Sequence, residues 1–539
     1  MIIKQLTGEQ LQQMILAGSR ALEKQREIVD SLNVFPVPDG DTGTNMHLTV
    51  QSAAKEVSGL EKPTVTQVAG AASMGSLMGA RGNSGVILSQ LFRGIAKGLE
   101  GKTTASGTDL AKAMQDGVET AYKAVMKPVE GTILTVSRET AKGAVQAAKH
   151  ENDILKILLA AKIKGEETLA KTPDMLLALK QAGVVDAGGK GFLVILEGWI
   201  AALGGQELQP IVVQPKPVTQ PVIDIPTGDI TFQYCTEFLL KGNNLPQARV
   251  QQDLAPHGDC LLVVGTEEIL KIHIHSNHPG TILEYCVKLG DLHEVQIHNM
   301  RAQHEAKLHS EKQETISQQP EKDMGIVAIA VGEGLVEVFR SLGVDEIIQG
   351  GQTMNPSTED LVSAINRVNA KQVFILPNNG NIILAAQQAK TLVQKEVHVV
   401  PTKSIPQGIA AVLAFDAEAT FADNVDALDN SFGAMKSGEI TYAVRDSQFD
   451  GHEIKSGDIL GLIDDKISLT GQDLQQASLE LVEKMGGETA DLISVFYGQD
   501  VDEESAERFA TELRNRYKRS EVEVHSGGQP LYYYLISVE

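Results

Sequence analysis

Two aspartates flank a glycine in the segment Leu32-Asn-Val-Phe-Pro-Val-Pro-Asp-Gly-Asp-Thr-Gly-Thr-Asn-Met46. Asp39 and Asp41 can therefore turn to one cation. Hard carboxylate oxygens on a tight turn suit magnesium, which commonly takes one or two carboxylates plus the phosphates of a substrate. Gly43, Asn45 and the hydroxyls of Thr42 and Thr44 stand where a helix is expected to begin. Backbone N–H groups at such a point hold phosphate. An EF-hand loop is excluded, because its glycine position holds Thr44 and its closing glutamate position holds Val50. A plain Asp-Gly turn with an N-cap is the competing reading.

A second glycine-rich turn, Met78-Gly-Ala-Arg-Gly-Asn-Ser-Gly-Val-Ile-Leu88, again precedes an apolar helical pattern. Exposed amides around Gly82, Asn83, Ser84 and Gly85 can cradle phosphate as a nest does. Helix termination at glycine, with Asn83 or Ser84 capping the next helix, explains the same residues. Val185-Asp-Ala-Gly-Gly-Lys-Gly191 only superficially resembles a phosphate loop of the Walker kind. Val184 sits where the first glycine belongs and Gly191 replaces the required Ser or Thr. Farther on, Leu270-Lys-Ile-His-Ile-His-Ser276 reads as a strand, so His273 and His275 share a face. Cys235 in another strand would complete a Cys-His-His set suited to zinc. Alternate histidines also line the polar face of many half-buried strands, and His298 is a spare ligand at most.

These residues need a large scaffold, and the chain supplies one. Its 539 residues exceed a single core, so several domains are expected. The formal charge is −23, from 47 Lys and Arg against 70 Asp and Glu, which disfavours a nucleic-acid partner. Three cysteines, Cys235, Cys260 and Cys286, make no disulfide framework and point to a reducing compartment. The first residues lack the apolar core of a signal peptide, and the apolar runs are too short to span a bilayer. A cytoplasmic protein is expected.

Residues 1–205 read as helices beginning near Thr44, Thr64, Ser84, Thr108, Thr132, Asp153, Pro173 and Gly189, after an opening helix capped by Thr7 and Gln10. Alternating strands are not expected there. Residues 206–225 are proline-rich and read as a linker. Residues 226–310 read as a small α/β module with strands at 230–240, 260–264, 270–275 and 294–298 and a helix at 281–289. From 323 to 539, short apolar runs alternate with helical segments. That pattern predicts a doubly wound parallel sheet and, after about residue 435, a second lobe. Two loops there are candidate ligand positions: Val331-Gly-Glu-Gly334, and the polar Gly350-Gly-Gln-Thr-Met-Asn-Pro-Ser-Thr358.

The three glycine-rich turns, in this order within a helical region, resemble the nucleotide-binding subunit of the dihydroxyacetone kinase family. That resemblance implies an all-α antiparallel helical barrel with metals and ATP phosphates at one end. It implies ATP contacts at Thr132 and at Asp186 and Gly188, which match the family's helix-start and Asp-x-Gly segments. The family's third, upstream aspartate is replaced by Asn33 at altered spacing, which puts an amide oxygen where a stronger ligand stands in relatives. Over the whole chain, the Val34–Met46 string, Tyr234-Cys-Thr-Glu-Phe238 and the C-terminal α/β region resemble the kinase-subunit family of fatty acid kinase. This implies an ATP- and magnesium-dependent enzyme making acyl phosphate from a fatty acid presented by a separate DegV-like carrier protein. Asp39, Asp41, Cys235, His273 and His275 would be the chemistry-bearing residues, with a candidate zinc ion in the middle module and a homodimer as a candidate assembly. Arg81 is a candidate for stabilising the transferred phosphoryl group. The C-terminal region resembles the carriers but has Val-Gly-Glu-Gly where they have an Asp-Ser-Thr segment, which implies a docking or regulatory lobe. A small-ketone kinase of the dihydroxyacetone type and a nucleotide-sensing regulator are the alternatives.

Overall fold

In the computed structural model, Thr7 opens helix α1 (Gly8–Asp30) through the expected reciprocal cap. The Gln10 N–H donates to the Thr7 hydroxyl, and the Thr7 N–H donates to the Gln10 side chain. The structure describes residues 2–33, 40–125, 127–205, 234–242, 245–265, 269–299, 322–351, 355–433, 435–449 and 452–539. They divide into two units, one made of Met1–Gln209 with Glu321–Glu539 and the other of Pro210–Pro320.

Helices α2 (Thr42–Ser58), α3 (Val65–Met78), α4 (Gly82–Gly98), α5 (Gly107–Ala124), α6 (Ile133–Ala147) and α7 (Ile154–Leu169) follow in turn. After the short α8 (Thr172–Met175) and α9 (Leu177–Ala182) comes α10 (Ala187–Leu203). Each long helix from α1 to α7 packs on its successor, and α10 returns to α1, α6 and α7. One buried apolar cluster, from Leu6 through Met46 and Phe92 to Trp199, fills the space between them. The expectation of no strands here needs one correction. Residues Gln5–Leu6 (β1) and Ala105–Ser106 (β2) pair antiparallel, a two-residue ladder too short to leave a period in the sequence.

The second unit, taken by itself, holds β3 (Tyr234–Lys241), β4 (Asp259–Gly265), β5 (Ile269–Ser276) and β6 (Asp291–Asn299) in an antiparallel sheet of order β4-β5-β3-β6. Helix α11 (Gln247–Leu254), absent from the sequence reading, and α12 (Pro279–Val287) accompany it. Phe238, Leu240, Ile272 and Ile274 face the core with Val250 and Leu254 from α11.

In the C-terminal part of the first unit, β7 (Lys322–Ala330), β8 (Glu346–Gln349), β9 (Ala370–Leu376) and β10 (Glu396–Val399) form a parallel sheet of order β10-β9-β7-β8. Alternate residues of β7 enter two different cores: Ile326, Ala328 and Ala330 meet Phe339 and Phe374, while Val327 and Ile329 meet Leu361 and Ile365. Burial on both faces is why these strands read as unbroken apolar runs. A second, six-stranded mixed sheet follows, built mainly from residues 436–538. Its Phe496, Tyr532 and Leu535 join the Phe374 core, so the two sheets share packing. No described helix is long and apolar enough to cross a membrane.

Helix α4 belongs to both parts of its unit. Ala80 and Val86 are buried in the Val327–Ile329 core of the parallel sheet. Along its length the Asn83 amide donates to Asn381 (3.2 Å) and the Gln90 amide donates to Gln388 (2.8 Å). The helical region and the C-terminal sheet therefore meet at the glycine-rich turn that opens α4.

Candidate functional site

Three of the motifs come together at the helix starts. Asp41 is the N-cap residue of α2, yet its side chain makes no cap hydrogen bond. The cap comes instead from Asp30, on the last turn of α1. Its carboxylate accepts from the Thr44 N–H (3.0 Å) and the Thr44 hydroxyl (2.8 Å). Sequence reasoning missed Asp30, because its partner lies 14 residues away and no spacing rule links them. Thr44 is thus held by α1, and the Asp41 side chain does not cap α2.

Asn45 is 3 % exposed and lies beside Gly82, where an added Cβ would stand 2.6 Å from the Asn45 amide nitrogen. Gly82 has φ +57°, a left-handed conformation that glycine adopts without penalty. Thr49, also missed, ties the two turns further. Its hydroxyl donates to the Asn45 carbonyl (2.7 Å), and the Arg81 N–H donates to the same hydroxyl (3.4 Å). Met46 is fully buried against Gly191, at whose position a Cβ would meet the Met46 sulfur at 2.8 Å. The starts of α2 and α4 and the first turn of α10 therefore share one end of the helical region.

Several motif glycines have a packing reason for being glycine. A Cβ at Gly43 would fall 2.4 Å from the Arg26 carbonyl oxygen, and one at Gly85 would fall 2.4 Å from the Thr49 hydroxyl. A Cβ at Gly188 would press on Ile133 at 3.1 Å. Their small size lets helices approach, in addition to anything they do for a ligand. Asn83 is exposed and engaged with Asn381, and Ser84 is half-buried on the first turn of α4. Thr132 caps nothing with its side chain. Its hydroxyl donates to the Val129 carbonyl (2.8 Å). Asp39 lies outside the described residues, and Asn33 sits beside Gly40.

Arg81 does not stand free for a phosphoryl group. Its guanidinium donates to the Asn355 carbonyl (2.6 Å) and lies 3.6 Å from the Asp360 carboxylate. The Val331–Gly334 turn is likewise spoken for: Gly332 has φ +102°, and the Leu335 N–H donates to the Gly527 carbonyl of the second sheet's last loop. The close approach of two backbones explains its glycines.

Asp186 is the N-cap of α10, and its carboxylate accepts from the Gly189 N–H at 2.7 Å. Burial pushes its pKa up to about 6, against the lowering effect of the Gly189 and Ile133 amides. The protonated acid is favoured by folding. Its stabilising contribution is complete below the ordinary carboxyl range near 3.8 and is lost as pH rises through about 6. We expect Asp186→Asn to flatten the fall in melting temperature between pH 4 and 7. At pH 7 it should be the more stable protein, by up to about 3 kcal/mol, the free-energy equivalent of that displacement. A melting profile with the same slope as the wild type over that range would refute this.

In the other unit, register settles backbone positions. Cys235 pairs with His275 on one side and His298 on the other, and Glu237 pairs with His273. These are register positions of the backbone alone. The side chains of Cys235, His273 and His275 lie outside the described residues. Among the described residues, no group of three or more His, Cys, Asp or Glu could hold a metal ion. Cys286 is buried, and burial pushes its thiol up to about 12, which fits a core residue. A groove of about 1000 Å³, lined by Met74, Arg93, Lys97 and Leu384 among others, touches the second glycine-rich motif at Val86 and not at Gly82 to Gly85.

The DAK2 domain pattern matches residues 36–201, the middle-domain pattern of FakA-like fatty acid kinase proteins matches 231–307, and their C-terminal pattern matches 325–539. Protein YloV of Bacillus subtilis (strain 168) is 43 % identical over the full length of both chains. The chain belongs to the FakA-like fatty acid kinase family. An uncharacterized protein of Staphylococcus aureus (strain USA300) is 42 % identical, again over the whole of both chains. Among solved structures, a DegV family protein from Thermus thermophilus, studied for fatty acid binding, aligns with 40 % of this chain and 99 % of its own. It has 13 % identity and a TM-score of 0.32. The dihydroxyacetone kinase of C. freundii aligns with 36 % of this chain and 34 % of its own, at 18 % identity and a TM-score of 0.27. Both likenesses are too slight to define the fold. The family is a kinase family.

Proposed function

We propose that this chain is the ATP-consuming subunit of a fatty acid kinase. In this reading, the carboxylate of a fatty acid held by a separate DegV-like carrier attacks the γ-phosphorus of ATP. The bond to the β-phosphate oxygen breaks, ADP leaves, and an acyl phosphate forms. The acceptor is already an anion, so no general base is required, and the work left to the protein is positioning and charge neutralisation. The observation that carries the reading is the Asp41 carboxylate. It stands at the start of α2, and the Asn355 amide that donates to it also borders the Gly82 turn. Hard oxygens beside two helix N-termini fit a magnesium–triphosphate.

Asp41, with Asp39 and Asn33, would hold the cation, and amides of Thr42–Asn45 and Gly82–Gly85 would face the phosphates. Magnesium, when bound, supplies charge neutralisation of the phosphate oxygens. Thr132, Asp186 and Gly188 border the same end and would complete the nucleotide pocket of a helical barrel. Residues 1–205, 226–310 and 323–539 would serve as kinase, middle and carrier-like modules. Cys235, His273 and His275 would organise the middle module, with or without zinc. The expected setting is the cytoplasm.

The direct test measures ADP formation and traps acyl phosphate as its hydroxamate, with fatty acid and carrier supplied together or singly. Turnover is expected only when both are present. Absence of turnover with both, or equal turnover with dihydroxyacetone alone, would exclude the reading.

A further inference from the structure

The polar loop after β8, singled out in the sequence as a ligand position, does not open to solvent at its far end. That end is pressed onto the turn that begins α4. The Thr358 N–H donates to the Ala80 carbonyl (3.1 Å), and the Asn355 carbonyl accepts from Arg81 (2.6 Å). Asp360 accepts from the Ser357 N–H (2.8 Å) and hydroxyl (2.7 Å) while lying against Arg81. Residues 355–360 are therefore fixed at both ends, and Ser357 and Thr358 are buried.

This anchoring delivers one side chain. The Asn355 amide nitrogen donates to the Asp41 Oδ2 at 2.7 Å. The same nitrogen would lie 3.4 Å from a Cβ placed on Gly82. Asn355 is 1 % exposed, and its Oδ1 is buried with no hydrogen-bond partner among the described residues. A buried amide oxygen left unpaired is costly, so the site is built to be completed. Its surroundings are a carboxylate and two helix starts. The group suited to a hard neutral oxygen there is a divalent cation or a water bound to one.

We propose that Asn355, from the C-terminal sheet, is a positioning residue of the magnesium–nucleotide site in the helical region. This rests on the reading of Asp41 given above. The Asn355 N–H fixes one oxygen of the Asp41 carboxylate, which orients the other for the cation. Its Oδ1 accepts from a cation-bound water or contacts the cation itself. Such outer partners typically tune metal affinity by about 10- to 100-fold. One consequence is that seating of the C-terminal lobe on Arg81 and magnesium–nucleotide binding favour one another, a reciprocal coupling.

The test uses the full chain and measures binding of a fluorescent ATP analogue as magnesium is titrated. It also follows melting temperature with and without magnesium chloride. Asn355→Ala is expected to raise the half-saturating magnesium concentration about tenfold, with metal-free melting within a few degrees of wild type. Asn355→Asp keeps the shape but sets a second carboxylate against Asp41. It should melt lower without metal and gain more than the wild type from magnesium. Unchanged or tighter magnesium dependence in Asn355→Ala overturns the proposal, as does an Asn355→Asp protein that magnesium does not stabilise. Asp41→Ala, run in parallel, separates the two levels. If it binds the analogue with unchanged magnesium dependence, the site reading itself falls. If it loses that dependence while Asn355→Ala keeps it, only the role of Asn355 falls.

Discussion

Asp41→Ala is expected to lower carrier-dependent ADP formation by about 10²- to 10³-fold, the usual scale for removing one preorganised electrostatic contact in a transferring site. The fold gives little reason for it to unfold the protein. Asp41 contributes no side-chain cap to α2, because the Asp30 carboxylate already holds the Thr44 N–H and hydroxyl. The loss would leave the Asn355 N–H without its carboxylate acceptor, a cost of about 1–3 kcal/mol confined to that loop. Asp41→Asn refines the measurement, since it keeps the volume and removes the charge. If charge on the cation is what matters, both variants fall together. If only the hydrogen bond from Asn355 matters, the asparagine variant retains most of the turnover. Full turnover in both would remove Asp41 from the chemistry.

The contrast between Asp41 and Asp30 shows where sequence reading works and where it stops. The Asp39-Gly-Asp41 string, the Gly82–Gly85 turn and the Asp186–Gly191 segment are local patterns with local mechanisms, so all three stand out in the sequence as candidates. The starts at Thr64, Thr132 and Asp153 were legible for the same reason, as N-cap types before apolar spacing. The roles of Asp30, Thr49 and Asn355 depend on which helix starts meet. The Asn355 contact spans 314 residues, and no periodicity carries information over that distance. Helix α11 leaves little period to read: among its described side chains, Val250 and Leu254 enter the core. The partners of Arg81 are unreadable for a related reason. A lone arginine beside a glycine turn suggests an anion, whereas here its partners are a backbone carbonyl and a carboxylate from the other lobe.

Glycine was the least readable residue type, and Gly43 makes that testable. As a phosphate-turn residue, Gly43 would tolerate alanine unless the ligand needed the space. As a crossing residue between α1 and α2 it would not, because a Cβ there lies 2.4 Å from the Arg26 carbonyl oxygen and 3.0 Å from the Val29 Cβ. Backbone at that distance cannot swing away as a side-chain tip can. The helices must part, and overpacking of this kind typically costs about 1–3 kcal/mol or more. Gly43→Ala is therefore expected to melt several degrees below the wild type even with no nucleotide present. Gly59→Ala is the matched control: that residue ends α2 at φ −83° with nothing within 4 Å of the added carbon. Alanine there should be neutral or stabilising by about 0.4–1 kcal/mol, through the unfolded chain. Equal melting of the two variants would mean that α1 and α2 yield at Gly43. The loss of nucleotide binding in Gly43→Ala could then be read as a direct effect on the phosphate turn, not as damage to the helices that carry Asp41.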